Sequence, residues 1–133
     1  MSMAMKVFVN LPVRDLGVST GFYQALGFVV NPQFSDENAT CIVISEEIYV
    51  MLLVHPFFAT FTTKDVADAT TDTEVITALS VDSRAEVDRL VDKALASGGS
   101  TAMSPMEDAP MYLRSFQDPD GHQWEIVYME MGE

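Results

Sequence analysis

Phe116-Gln117-Asp118-Pro119-Asp120-Gly121-His122-Gln123-Trp124-Glu125-Ile126-Val127 contains a turn with a mechanism. Pro119 presets its own φ, the Asp side chains can accept from nearby backbone amides, and Gly121 can take a positive φ without penalty. The flanking segments, Met111–Gln117 and Gln123–Met129, read as two strands joined by that turn. The second strand sets Glu125 among Trp124, Ile126 and Val127, so an ionisable group stands in an apolar neighbourhood. A carboxylate placed this way is the first candidate for chemistry.

Working outward, 133 residues are one domain's worth, long enough for a real core. With 7 basic against 20 acidic residues, the net charge of −13 argues against nucleic acid or an anionic membrane as partner. A solvated acidic surface accounts for it, and a cationic ligand is compatible with it. The single cysteine, Cys41, cannot form an internal disulfide, so a reducing cytoplasm is the expected location. No apolar run approaches the roughly 20 residues of a spanning helix. Residues 1–6 lack the apolar stretch of a signal peptide and are expected to be a short leader.

The remaining elements form a repeating order. Residues 6–13 alternate, with Val7, Val9, Leu11 and Val13 on one face and Phe8, Asn10 and Pro12 on the other, as in a strand buried on one side. Asp15 or Ser19 can cap the helix that follows; Phe22 and Leu26 share its inner face, and Gly27 ends it. Strands are expected at 28–34, weakened by Asn31-Pro32, at 39–45, and at Ile48–Val54. Residues 55–63 hold Phe57, Phe58 and Phe61 in a short helix or packed loop, and 64–73 read as a polar loop or helical turn. A strand at 74–81 then restarts the pattern, with Thr77, Leu79 and Val81 matching Val9, Leu11 and Val13 at a constant offset. Ser83-Arg84-Ala85-Glu86 is a capping-box sequence, and Val87, Leu90, Val91, Ala94 and Leu95 form an amphipathic stripe ending at Gly98-Gly99. A strand at 100–104 and the closing hairpin complete a second βαβββ module. The expected class is α+β: two βαβββ modules with mixed, curved sheets and helices on the convex side. Module one spans 5–54, a connection 55–73, and module two 74–130, within a single domain over 1–133.

The Asp118-Pro119-Asp120-Gly121 turn followed by a strand bearing Glu125 resembles the closing hairpin of the vicinal oxygen chelate superfamily. That group includes glyoxalase I, extradiol dioxygenases, and the fosfomycin and bleomycin resistance proteins. The opening, Val13-Arg14-Asp15-Leu16 with Gly21-Phe22-Tyr23 and Leu26-Gly27-Phe28, is similar to the family's start. The resemblance implies that the paired modules enclose a cavity, within one chain or across a homodimer. It also implies a divalent metal in the family's enzymes, held by His or Gln on the first strand, His or Glu on the first strand of the second module, and Glu on the last. Counted back from Val13 and Val81, the first two positions are Phe8 and Ile76, and only Glu125 remains. A lone carboxylate is a poor cage for a catalytic metal, so no cofactor is expected, with a divalent metal as the alternative. His122, three residues from Glu125, reads as a surface histidine in the turn, and nothing in the sequence fixes His55 inward.

Without a metal, the concave face reads as a mostly apolar lining with a few polar groups. Phe8 and Asn10 would come from the first strand, Ile76, Ala78 and Ser80 from the second module, and Glu125 with Val127 from the last strand. Tyr112, Arg114 and Phe116 share one face of their strand, Tyr49 and Met51 one face of theirs, with the side open in both cases; any one of these aromatics also fits as core filling. Glu125 can act as a general acid or base if buried, pair with Arg114 or Lys6, or anchor a cationic ligand. Cys41 has no adjacent base and reads as an inert apolar residue. The leading expectation is a metal-independent protein that binds a small organic molecule, cationic or aromatic, as the family's bleomycin resistance proteins do. The alternative is an enzyme, lactoylglutathione-lyase-like or dioxygenase-like, with Glu125 as a metal ligand.

Overall fold

The computed structural model describes residues 5–108 and 110–130; of the expected leader at 1–6, residues 1–4 lie outside them. The chain divides into two compact units, Met1–Ala67 and Asp68–Glu133, with the boundary inside the expected connection.

The first unit contains β1 (Val7–Val13), α1 (Leu16–Ala25), β2 (Val29–Asn31), β3 (Ala39–Val43), β4 (Ile48–Val54) and the short helix α2 (His55–Phe58). Its four strands lie in the order β1-β4-β3-β2, with β1 parallel to β4 and the other pairs antiparallel. The N-cap of α1 is Asp15, whose Oδ1 accepts from the Val18 amide at 3.0 Å; Ser19 is a buried helix residue instead. Helix α1 ends at Gly27, whose φ of +102° suits glycine. Strand β2 is shorter than expected because Pro32 lacks a ladder N–H and opens a 3₁₀ turn over Pro32–Phe34, capped by Asn31. The aromatic run after β4 folds as α2 and a second 3₁₀ turn, with the rings of Phe57 and Phe61 in edge contact at 5.2 Å.

The second unit repeats this plan with β5 (Thr77–Ser80), α3 (Arg84–Ala96), β6 (Ser100–Thr101), β7 (Met111–Gln117) and β8 (Gln123–Met129). The order β5-β8-β7-β6 reproduces that of the first sheet, with β5 parallel to β8. Strands β5 and β6 are shorter than their expected spans. The Ser115 hydroxyl binds the Met103 backbone, accepting from its amide at 2.9 Å, and the edge then resumes at a Met106–Leu113 bridge. The irregular stretch between acts as a bulge that interrupts the ladder. Ser83 caps α3 by accepting from the Glu86 amide at 3.1 Å, but only half of the capping box forms, because the Glu86 carboxylate engages Arg89.

Each helix covers one face of its own sheet. Under α1 lie Leu11, Val13, Ile42, Val50 and Leu52, all buried, with Phe22, Tyr23 and Leu26 entering from above. Under α3 lie Tyr112, Phe116, Trp124 and Ile126, met by Val87, Leu90, Val91 and Ala94. Leu95 is only half-buried at the margin of that stripe. These layers are the core of each unit, and burying them is the main source of stability.

Candidate functional site

The closing turn follows from its residues. The buried Asp118 carboxylate accepts from the amides of Asp120 at 3.0 Å and His122 at 2.9 Å, while its backbone bonds His122 and Gly121. Gly121 has a φ of +91°, and a Cβ there would stand 2.7 Å from the Ala69 carbonyl oxygen. This fixed turn pairs Gln117 with Gln123, and therefore Ser115 with Glu125. On its other side, Glu125 pairs with Ala78.

Paired residues share a face, so the register divides the second sheet cleanly. Glu125 lies with Ser115, Ala78, Val127, Leu113 and Ser80 on the face turned away from α3. Ile76, two residues before Ala78, is 47% exposed. Glu125 itself is half-buried rather than buried, and among the described residues its carboxylate has no hydrogen-bond or ion-pair partner.

Tyr112, Arg114 and Phe116 lie on the opposite, helix-covered face. Arg114 donates to Asp88 and Asp92 of α3, each at 2.9 Å, so the pairing with Glu125 raised from the sequence is replaced by one with the helix. The Tyr112 hydroxyl donates to Asp88 at 2.6 Å, and the Arg84 guanidinium sits 4.2 Å from the centre of the Tyr112 ring. The Tyr112 hydroxyl, and secondly Arg114, hold the Asp88 carboxyl below its ordinary range. The same hydrogen bond, with burial, raises the Tyr112 phenol. Phe116 is buried beside Trp124, rings stacked at 6.4 Å.

In the first unit the register brings four sequence candidates together. Phe8 pairs with Tyr49 and Asn10 with Met51, all on the face turned away from α1. The Phe8 and Tyr49 rings stack at 4.7 Å with 11° between planes. Lys6 lies 5.4 Å from the centre of the Tyr49 ring and donates to the Tyr49 hydroxyl and the Glu46 carbonyl, so its ammonium is engaged within this unit. Phe8 stays 46% exposed despite the stack.

The repeat also exposes a position that sequence reasoning did not connect to Glu125. Asn10 matches Ala78 at the offset of the repeat, and their partners are Met51 and Glu125. Met51 is thus the first-unit counterpart of the carboxylate. Within the first unit Phe8 and Met51, and within the second Ile76, offer no carboxylate or imidazole beside these first strands and their parallel partners. A divalent metal needs several such donors, and these residues do not fit one. Among the described residues, no three His, Cys, Asp or Glu side chains gather where they could hold a metal. His55 is exposed at the start of α2, and His122 belongs to the closing turn. Cys41 is fully buried, and burial pushes its thiol up, away from the reactive thiolate. No helix among the described residues is long and apolar enough to cross a membrane.

The missed companions of Glu125 were reachable from the turn alone. A five-residue connection between two alternating strands sets Ser115 opposite Glu125 and Leu113 opposite Val127. The partners of Tyr112 and Arg114 also had a signal: Asp88 and Asp92 stand one helical turn apart on the α3 surface.

Residues 6–45 match the family model for the bleomycin resistance protein-like N-terminal region. No curated protein sequence matches the chain. Among solved structures, a hypothetical protein, SA1046 from S. aureus, is 31% identical, with 96% of this chain and 95% of that one covered at a TM-score of 0.79. A glyoxalase/bleomycin resistance protein/dioxygenase family enzyme from Burkholderia phytofirmans PsJN is 21% identical over 96% of this chain and 100% of that one, at a TM-score of 0.78. The bleomycin resistance determinant encoded on the transposon TN5 is 19% identical over 96% and 100%, at a TM-score of 0.66; these last two share the fold. Residues 6–45 thus carry the bleomycin resistance protein-like N-terminal match, the chain is related over nearly its full length to SA1046 at 31% identity, and its repeated βαβββ sheets have the fold of the glyoxalase/bleomycin resistance/dioxygenase structures.

Proposed function

We propose that this protein binds a small organic molecule on the open faces of its sheets and does so without a resident metal. The observation that carries this reading is that Phe8 and Ile76 stand at two of the three ligand positions the resemblance implies, which leaves Glu125 as a single carboxylate. Such a surface offers aromatic and apolar contact area with isolated polar groups, the composition of a small-molecule site. The lone Glu125 then serves as a charge that orients a ligand or exchanges a proton with it. A homodimer, the assembly implied by the family resemblance, is part of the same proposal.

The test is elemental analysis of protein purified without chelator or nickel, followed by calorimetric titration with divalent metals and a ligand screen in chelator. The expected result is no stoichiometric metal, no heat on adding metal, and at least one small molecule that raises the melting temperature. Stoichiometric metal lost in Glu125→Ala would overturn the reading and support an enzyme of the lyase or dioxygenase type, with Glu125 as a metal ligand.

A further inference from the structure

We infer that the second sheet's open face selects an organic cation with an apolar tail, ammonium on Glu125 and tail directed toward Met129. The inference rests on the binding reading above and specifies the ligand's chemistry and direction. It comes from how the rows of this face follow one another. The Glu125 row holds Ser115 and Ala78, both small, so the carboxylate is not crowded by its neighbours. The next row toward the end of β8 is Met106, Leu113 and Val127, closed by Ser80. The row after that is Met111 paired with Met129. In the other direction the row is Gln117 and Gln123, two amides.

The face is therefore graded along the strands: amides, then one carboxylate, then two apolar rows rich in methionine. Same-face residues two apart lie about 7 Å from each other along a strand, so the Met111–Met129 row stands about 13 Å from Glu125. Met106 and Met129 are 45% and 48% exposed, so the apolar end is available to a ligand. Methionine is unbranched and polarizable, and it adapts to tails of differing shape. A half-buried carboxylate with no partner among the described residues complements a cation, and the net charge of −13 attracts one. An anionic head group would meet repulsion at Glu125. A neutral one would leave the carboxylate without a charge partner.

The experiment is calorimetric titration of the whole protein, in chelator, with butyl- to octylammonium, the matching alcohols and the matching carboxylates. The amines are expected to bind about tenfold or more tightly than the alcohols, and the carboxylates most weakly. Amine affinity is expected to rise about two- to fourfold per methylene as the tail reaches the methionine rows. Glu125→Gln should remove the preference for amine over alcohol while leaving alcohol binding in place, and Met129→Ser should flatten the chain-length dependence while keeping the amine preference. Circular dichroism on both variants controls for folding. Equal binding of amine and alcohol, no amine binding, or an amine preference that survives Glu125→Gln would each overturn the inference. A neutral or anionic hit in the chelator screen would overturn it as well, while leaving the broader small-molecule reading intact; a screen with no hit at all would instead remove that reading.

Discussion

The two units build the same layer with the bulk on opposite sides. In the first, aromatic side chains come from the helix, Phe22 and Tyr23, and meet an aliphatic sheet of Leu11, Val13, Ile42, Val50 and Leu52. In the second, the helix is aliphatic, Val87, Leu90, Val91 and Ala94, and the aromatics Tyr112, Phe116 and Trp124 come from the sheet. What the repeat preserves is the filled volume between helix and sheet, not which element supplies it. That agrees with interiors packed to near-crystalline density, where total volume and patterning matter more than the identity of any residue. The open faces differ in another way. The first carries a stacked aromatic pair with Lys6 beside it, and the second a lone carboxylate between amides and methionines.

The largest expected effect tests the exchanged layers. Tyr23→Ala and Trp124→Ala should each cost about 3–5 kcal/mol in urea unfolding, since each removes a fully buried ring. A cost below about 1 kcal/mol for either would mean that its layer can collapse around the loss, and the comparison would break there.

A smaller effect separates two glycines with similar backbones. Gly121→Ala should cost about 1–3 kcal/mol, because a strained φ is joined by a clash with the Ala69–Thr70 backbone. Gly98→Ala, at a φ of +110° with nothing within 4 Å, should cost only the left-handed penalty of about 1–2 kcal/mol. Equal melting temperatures for the two variants would show that the loop at Ala69 gives way freely.

The smallest effect is one of pH and belongs to the second unit's ionic surface. Asp88 is held below its ordinary range by Tyr112 and Arg114, so its contribution is full above the unfolded carboxyl's pKa of about 4 and is lost as pH falls through the lowered value. Tyr112 is raised, so its contribution is full below about pH 10 and is lost as pH climbs through the raised value. Asp88→Asn should shallow both limbs of the unfolding midpoint against pH. The acid limb should not vanish, because Glu86 is also lowered by Arg89. Unchanged limbs would show that the Asp88 pairs are screened by solvent, as exposed ion pairs often are.

Much of this architecture could be read from the chain because it rests on local chemistry. The closing hairpin has the limits expected of it, since alternation in 111–117 and 123–129 and the turn residues between them agree. Asp15 and Ser83 cap their helices through short side chains that need no distant partner. Strands β2, β5 and β6 came out shorter because ladder pairing limits a strand, and the partner is remote in sequence. The Phe8–Tyr49 stack has the same origin: it exists because β1 runs parallel to β4 in one register, set by residues about forty apart.

Of the site, the sequence by itself determined which residues travel together: Glu125 with Val127, Phe8 with Asn10, and Tyr112 with Arg114 and Phe116. Alternation with a period of two guarantees those groupings wherever a strand forms. Only the tertiary structure decided which group faces the helix. A strand is nearly symmetric between its two faces, and the choice is made by what packs against it. Helix α3, covering β7 and β8, drew Arg114 to Asp88 and Asp92 and left Glu125 on the open side with Ser115 and Ala78.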